Sequence, residues 1–120
     1  MIPRLVPLLA ALLVLPLLSP AAIKQEVRDP FADAERALRG NDRDGALRAL
    51  DEALKLQPEH PAARFWRGRI LAERGDFDKA LADLDEAARL NANNADTFAY
   101  RGYVWQKRGD SDAEIGRAHV

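Results

Sequence analysis

The feature that most constrains this chain is internal repetition at a fixed period. Shifted by 34, Ala46-Leu47 falls on Ala80-Leu81, and Leu50-Asp51-Glu52-Ala53 falls on Leu84-Asp85-Glu86-Ala87. Asp42, Asp44 and Leu56 fall on Asp76, Asp78 and Leu90. The next shift places Arg67-Gly68 on Arg101-Gly102 and Arg74-Gly75-Asp76 on Arg108-Gly109-Asp110. A period of this length marks a unit that cannot bury its apolar face alone and must stack on copies of itself.

Each unit reads as two helices. In the middle unit the first helix runs from Pro61 to Arg74, because proline lacks only an N–H that a helix start leaves unpaired. Gly75-Asp76 ends it, and Arg108-Gly109-Asp110 is expected to break the third unit in the same way. The second helix starts at Phe77 or Asp78 and ends at Leu90, with Ala80, Leu81, Leu84, Ala87 and Leu90 spaced as one apolar face. Asn91 to Asn94 forms the turn to the next unit. Gly68 and Ala80 fall where the two helices of a unit cross, and Ala87 where the second helix meets the next unit. Small side chains at those points let the helix axes approach closely.

Glycine or alanine at Gly68, Ala80 and Ala87, with apolar Leu71 and Leu84 between them, resembles the tetratricopeptide repeat family. The first unit adds Ala34, Ala46, Leu50, Ala53 and the turn proline Pro58; the third adds Phe98, Gly102 and Trp105. The departures are Arg64 where a bulky apolar residue is usual, Ala92 in place of a turn proline, and Arg67 and Arg101 in place of leucine. The resemblance covers Val27 to Ala113. It implies an all-α fold, an α-α solenoid of helix-turn-helix repeats with units at 27–60 and 61–94 and a partial third at 95–113.

The same resemblance implies a protein or peptide partner held in a concave groove lined by the first helix of each unit. The groove places carry over onto Phe31 and Glu35 in the first unit, Phe65, Arg69 and Glu73 in the second, and Tyr103, Gln106 and Lys107 in the third. Arg28, Leu38, Arg39, Ala62, Ala72, Asp96 and Ala99 occupy the remaining groove places. Phe65, Arg69 and Tyr103 lead, because aromatic and arginine side chains dominate binding hot spots. Phe65 has a second reading as filler in the seam between repeats, and Trp66 and Tyr100 fall on the groove rim. The lysine and asparagine set with which some family members clamp a terminal carboxylate is missing.

Other residues read as structural. Arg67 should face the second helix of its own unit and pair with Asp83 or Asp85. The acidic runs Asp51-Glu52 and Asp85-Glu86 read as a solvated convex face, and His60, between two prolines, as a solvated turn residue.

Composition separates residues 1–23 from the rest. They hold one charge, Arg4, and four of the seven prolines, while the remaining 97 residues hold 36 of the 37 charges. Arg4, the apolar run Leu5–Leu18 and Ser19-Pro20-Ala21 follow the order of a secretory signal cleaved after Ala21. The expected organisation is therefore a signal peptide at 1–21, a linker at 22–26 and repeats at 27–113, in a protein exported to the periplasm or secreted. Two alternatives stay open: Leu5–Ile23 retained as an inner-membrane anchor, since a span needs about 20 apolar residues, or an amphipathic start. Fourteen arginines against four lysines suggest a GC-rich bacterial genome.

The end of the chain departs from the repeat. Glu114 stands where Ala46 and Ala80 stand, Gly116 falls in mid-helix, and Glu114–Val120 matches the translation of a common sequencing adapter. Residues 114–120, His119 included, are therefore expected to be a non-native tail. Loss of the third unit's second helix would leave Phe98 and Trp105 uncovered.

Chemistry finds little support. The chain has no cysteine and two histidines, which excludes a thiolate nucleophile or metal site and disfavours a multi-histidine one. Ser111 and Thr97 have no histidine in a triad-like arrangement, and no glycine-rich phosphate loop is present. A net charge of −1 offers no basic patch for nucleic acid. The expectation is a non-catalytic scaffold of the bacterial cell envelope without cofactor or metal. The alternatives are the N-terminal module of a longer envelope enzyme and a membrane-anchored assembly factor.

Overall fold

The computed structural model describes residues 28–118, all of whose regular elements are helices. The signal at 1–21, the linker at 22–26, the anchor alternative at 5–23 and His119 lie outside the described residues. Five helices follow in order: α1 (Pro30–Arg39), α2 (Arg43–Leu56), α3 (Pro61–Glu73), α4 (Phe77–Leu90) and α5 (Ala95–Ala118). α1 pairs with α2 and α3 with α4, while α2 bridges to α3 and α4 to α5. This is the expected helical solenoid.

Local chemistry sets the helix ends. Asp29, Asp42 and His60 cap α1, α2 and α3 by accepting from the backbone N–H groups of Phe31, Gly45 and Ala63 at 3.0, 2.9 and 3.1 Å. Side-chain caps of this kind satisfy donors that the first turn leaves orphaned. His60 is thus not the free turn residue expected from sequence. Its Nδ1 caps α3, and its ring packs on Phe31 with centroids 4.4 Å apart.

The turn inside each unit is one motif built twice. Gly75 has φ +83°, its N–H donates to Ala72 O, and Asp76 N–H donates to Leu71 O. Asn41, one period earlier, has φ 57°, with the matching bonds Asn41 to Leu38 and Asp42 to Ala37. Both are Schellman ends, which need a left-handed residue that glycine or asparagine supplies cheaply.

Unit three departs from the expectation. α5 runs unbroken for 24 residues through Gly109 and Asp110. The reason is packing. After Asp42 and Asp76 the chain reverses and buries Ala46 with Leu50, or Ala80 with Leu84, each 0 % exposed. After Asp110 the corresponding residues include Glu114 and an exposed Ile115, so a reversal would bury little. Helical hydrogen bonding continues instead, despite about 1 kcal/mol for each interior glycine.

The core has two halves that share α3. Ala34, Ala46, Leu50, Leu54, Ala63 and Ile70 form one; Ala72, Ala80, Leu81, Leu84 and Val104 form the other. Ile70 is the buried large residue of α3, whereas Leu71, expected from the repeat pattern, is half-buried. Thr97 and Val104 in α5 are buried where Ala63 and Ile70 are buried in α3. Those pairs, each one period apart, face the preceding repeat. In α1 the same places hold Asp29 at the cap and Arg36, so its outer face is polar.

Gly68 at the α3–α4 crossing and Gly102 one period later give a paired test. A Cβ built at Gly68 would lie 2.9 Å from Leu84 Cγ and 3.1 Å from Ala80 O, while one at Gly102 meets nothing within 4 Å. Gly102→Ala should therefore raise stability by roughly 0.5–1 kcal/mol through helix propensity. Gly68→Ala should lower it by roughly 1–2 kcal/mol, because overpacking outweighs the same local gain. Urea unfolding of both variants measures the difference; equal shifts would contradict this packing.

Candidate partner-binding groove

The charged residues of α3 divide between two faces. On one, Asp83 of α4 is buried with its side chain 5 % exposed. Arg67 meets it through Nε–Oδ2 at 2.7 Å and Nη2–Oδ1 at 2.8 Å, and Arg64 through Nη1–Oδ1 at 3.1 Å. Of the two partners that the sequence offers Arg67, the structure selects Asp83, and it adds Arg64 to the pair. Hydrogen bonding to Asp83 holds the Arg67 guanidinium above its ordinary pKa, against the opposing cost of burial.

The acidic runs do more than face solvent. Arg67 also reaches Asp51 of α2 at 3.0 Å, and Arg101 reaches Asp85 of α4 at 3.1 Å. A second rung joins Arg74 to Asp44 and Arg108 to Asp78. Both rungs recur one period on and tie the first helix of one unit to the second helix of the unit before. Each such half-exposed pair contributes less than about 1 kcal/mol alone, so the ladder sets register more than stability.

The other face of α3 carries the groove. Arg69 sits among three rings, with its guanidinium carbon 4.9 Å from the Trp66 centroid, 5.2 Å from Tyr100 and 5.9 Å from Phe65. Phe65 meets both Trp66 and Tyr100 edge-on, at 5.7 and 6.0 Å between centroids, and Tyr100 packs on Tyr103 at 5.5 Å. Burial raises the Tyr100 phenol above its ordinary pKa, partly offset by the nearby Arg69 charge.

Arg69 is the wall shared by two open clefts. One, of about 370 Å³, lies between α1 and α3 and includes Glu35, Leu38, Arg39, Arg43, Trp66 and Glu73. The other, of about 520 Å³, lies between α3 and α5 and includes Phe65, Asp96, Ala99, Tyr100 and Tyr103. A smaller hollow beside it joins Glu73, Tyr103 and Lys107, whose Nζ lies 5.5 Å from the Tyr103 centroid.

Of the eight groove residues expected from the sequence, six come together here: Glu35, Phe65, Arg69, Glu73, Tyr103 and Lys107. Gln106 is exposed on α5, outside these clefts. Phe31 turns into the seam against His60 and the first core half instead. Phe65 packs on the second core half and also lines the wider cleft. Sequence reasoning places Trp66 and Tyr100 at the rim, yet they form the box around Arg69. Their spacing carries a signal: Trp66 stands one helical turn before Arg69, and Tyr100 repeats Trp66 one period later.

Among the described residues, no helix is long and apolar enough to cross a membrane. No curated protein matches the chain. A family model described as tetratricopeptide repeat matches residues 31–95, from α1 to the first residue of α5. Repeats of this family generally act as non-catalytic modules of protein–protein interaction. With just over half its length matched and its helix pairs stacked at the period of the repeat, the chain belongs to the tetratricopeptide repeat family.

Proposed function

We propose that this protein is a non-catalytic scaffold that holds a peptide or an extended partner segment in the concave groove along α1, α3 and α5. The observation that supports it best is the Arg69 wall, where one guanidinium and four aromatic side chains border two adjoining clefts. Large, stiff aromatic surfaces combine contact area with low ordering cost, and arginine adds directed donors. We place the work of the protein in the bacterial cell envelope, on the strength of the signal-like order of residues 1–21.

A photoreactive amino acid at Tyr103, compared with one at Lys79 on α4, tests the groove in the native host. Crosslinks to one defined partner from position 103, and none from 79, are expected. Crosslinks from 79 alone would overturn the reading. N-terminal sequencing of the exported form tests the location, with a start at Ala22 expected.

A second reading rests on α5. Phe98 and Trp105 are 40 % and 53 % exposed, covered in part by Arg101 and Arg108 at 5.0 and 5.3 Å from their ring centroids. That face has room for a further helix, as in the front module of a longer envelope protein.

A further inference from the structure

The arginines of the middle repeat differ in one respect. Arg64, Arg67 and Arg74 each meet an aspartate, and Arg43 across the narrower cleft meets Glu73. Arg69 meets no carboxylate among the described residues, and its Nε is buried without a hydrogen-bond partner. A guanidinium held against rings is stripped of part of its water, and the rings return only a weak attraction. A buried donor left unpaired is costly. The charge is thus partly desolvated and, among the described residues, meets only the rings and the Tyr100 hydroxyl, so an anion entering the clefts beside Arg69 has no resident carboxylate to displace.

The surroundings select the anion. The narrower cleft presents Arg39, Arg43 and Arg69 against Glu35 and Glu73, and Glu73 is already engaged by Arg43. Lys107, on α5 beside Tyr103, lies outside this cleft in a hollow that it shares with Glu73. Asp96 lines the wider cleft at the start of α5, so an anion is favoured on the α1 side of Arg69 and an apolar group on the α5 side. A planar carboxylate matches the guanidinium fork, and the faces of Phe65, Tyr100 and Tyr103 suit a large apolar side chain next to it.

We infer that Arg69 is the anchor for a carboxylate of the partner segment, which carries a large apolar residue beside that carboxylate. This rests on the groove reading above and sharpens it to an acidic–apolar peptide. The carboxylate comes from an aspartate or glutamate side chain or from a chain end, and the same experiment separates them.

Two displayed libraries of random short peptides, one with free C-termini and one embedded internally, are panned on the full chain. Selected peptides are then titrated against wild type, Arg69→Gln and Arg69→Lys. Enrichment of Asp or Glu beside a large apolar residue in both libraries identifies a side-chain carboxylate; enrichment in the free-end library alone, with the apolar residue last, identifies the chain end.

Arg69→Gln should weaken binding about ten- to a hundredfold, the range for a hydrogen bond to a charged group. The Glu→Gln peptide should lose as much on wild type, and combining the two changes should add little. Arg69→Lys should fall between, since it keeps charge but not the fork, and it serves in place of Arg69→Gln if circular dichroism shows that variant unfolded. Selected peptides without an acidic preference, or acidic peptides that bind Arg69→Gln and Arg69→Lys like wild type, overturn the carboxylate anchor and leave the groove reading standing. Failure of every peptide to bind more weakly to Tyr103→Glu than to wild type overturns both.

Discussion

Truncating Leu84 to alanine should destabilise the fold by about 3–5 kcal/mol, the range for opening a cavity at a fully enclosed leucine. Leu84 is 0 % exposed, and its Cγ and Cδ2 sit in the notch that Gly68 leaves on α3. The site cannot collapse easily, because α3 and α4 already touch at that crossing and α3 is shared by both halves of the core. Small domains hold about 5–15 kcal/mol in total, so the variant should unfold near or below physiological temperature. Thermal and urea unfolding followed by circular dichroism measures it. A loss near ~1 kcal/mol, the typical cost of an unexceptional substitution, would mean that the α3–α4 crossing is looser than described.

Asp83→Ala should cost about 3 kcal/mol, near the low end for breaking a buried ion pair because the two arginines keep partial access to water. The Asp83 side chain is 5 % exposed, against 23 % for Arg67 and 24 % for Arg64. Removing the carboxylate leaves two half-buried guanidiniums facing each other, with Asp51 on Arg67 and the Glu86 carboxylate near Arg64 as partial compensation. Arg67→Ala should cost less, since Arg64 still pairs with Asp83, and the double variant should fall short of the sum. Neither change should alter affinity for a peptide selected on the groove, because Arg67 and Asp83 border a cleft on the other side of α3 from Arg69. A variant with unchanged melting but lost binding would reverse the assignment and make Arg67 a ligand residue.

The groove illustrates where reading a sequence stops. Six of eight expected lining residues converge, because helix periodicity and a repeat period together dictate which side chains share a face. The misplaced ones have particular causes. Phe31 stands one period before Phe65, but its ring packs on that of His60, which caps α3, and so fills the seam. Gln106 is exposed on α5, two residues past the buried Val104. Trp66 and Tyr100 look peripheral in the sequence because their role depends on Arg69, and the distances between α3 and α5 emerge only once those helices are packed.

By itself the sequence determined whatever is carried within one unit or by its period. That includes the helix pairs of the first two units, the helix break at Gly75-Asp76, the small residues at the crossings, and the stacking that buries Ala46, Leu50, Ala80 and Leu84. Those signals are local, and each is enforced by sterics or hydrogen bonding over a few residues. Tertiary structure decided the rest: that α5 passes through Gly109 without turning, that Arg64 and Arg67 share Asp83, and that Arg69 meets no carboxylate among the described residues. Each of these depends on what a residue meets across a helix interface. Glycine and aspartate at 109 and 110 repeat the breaking signal at 75 and 76, but a turn forms only where the chain beyond it has an apolar face to bury.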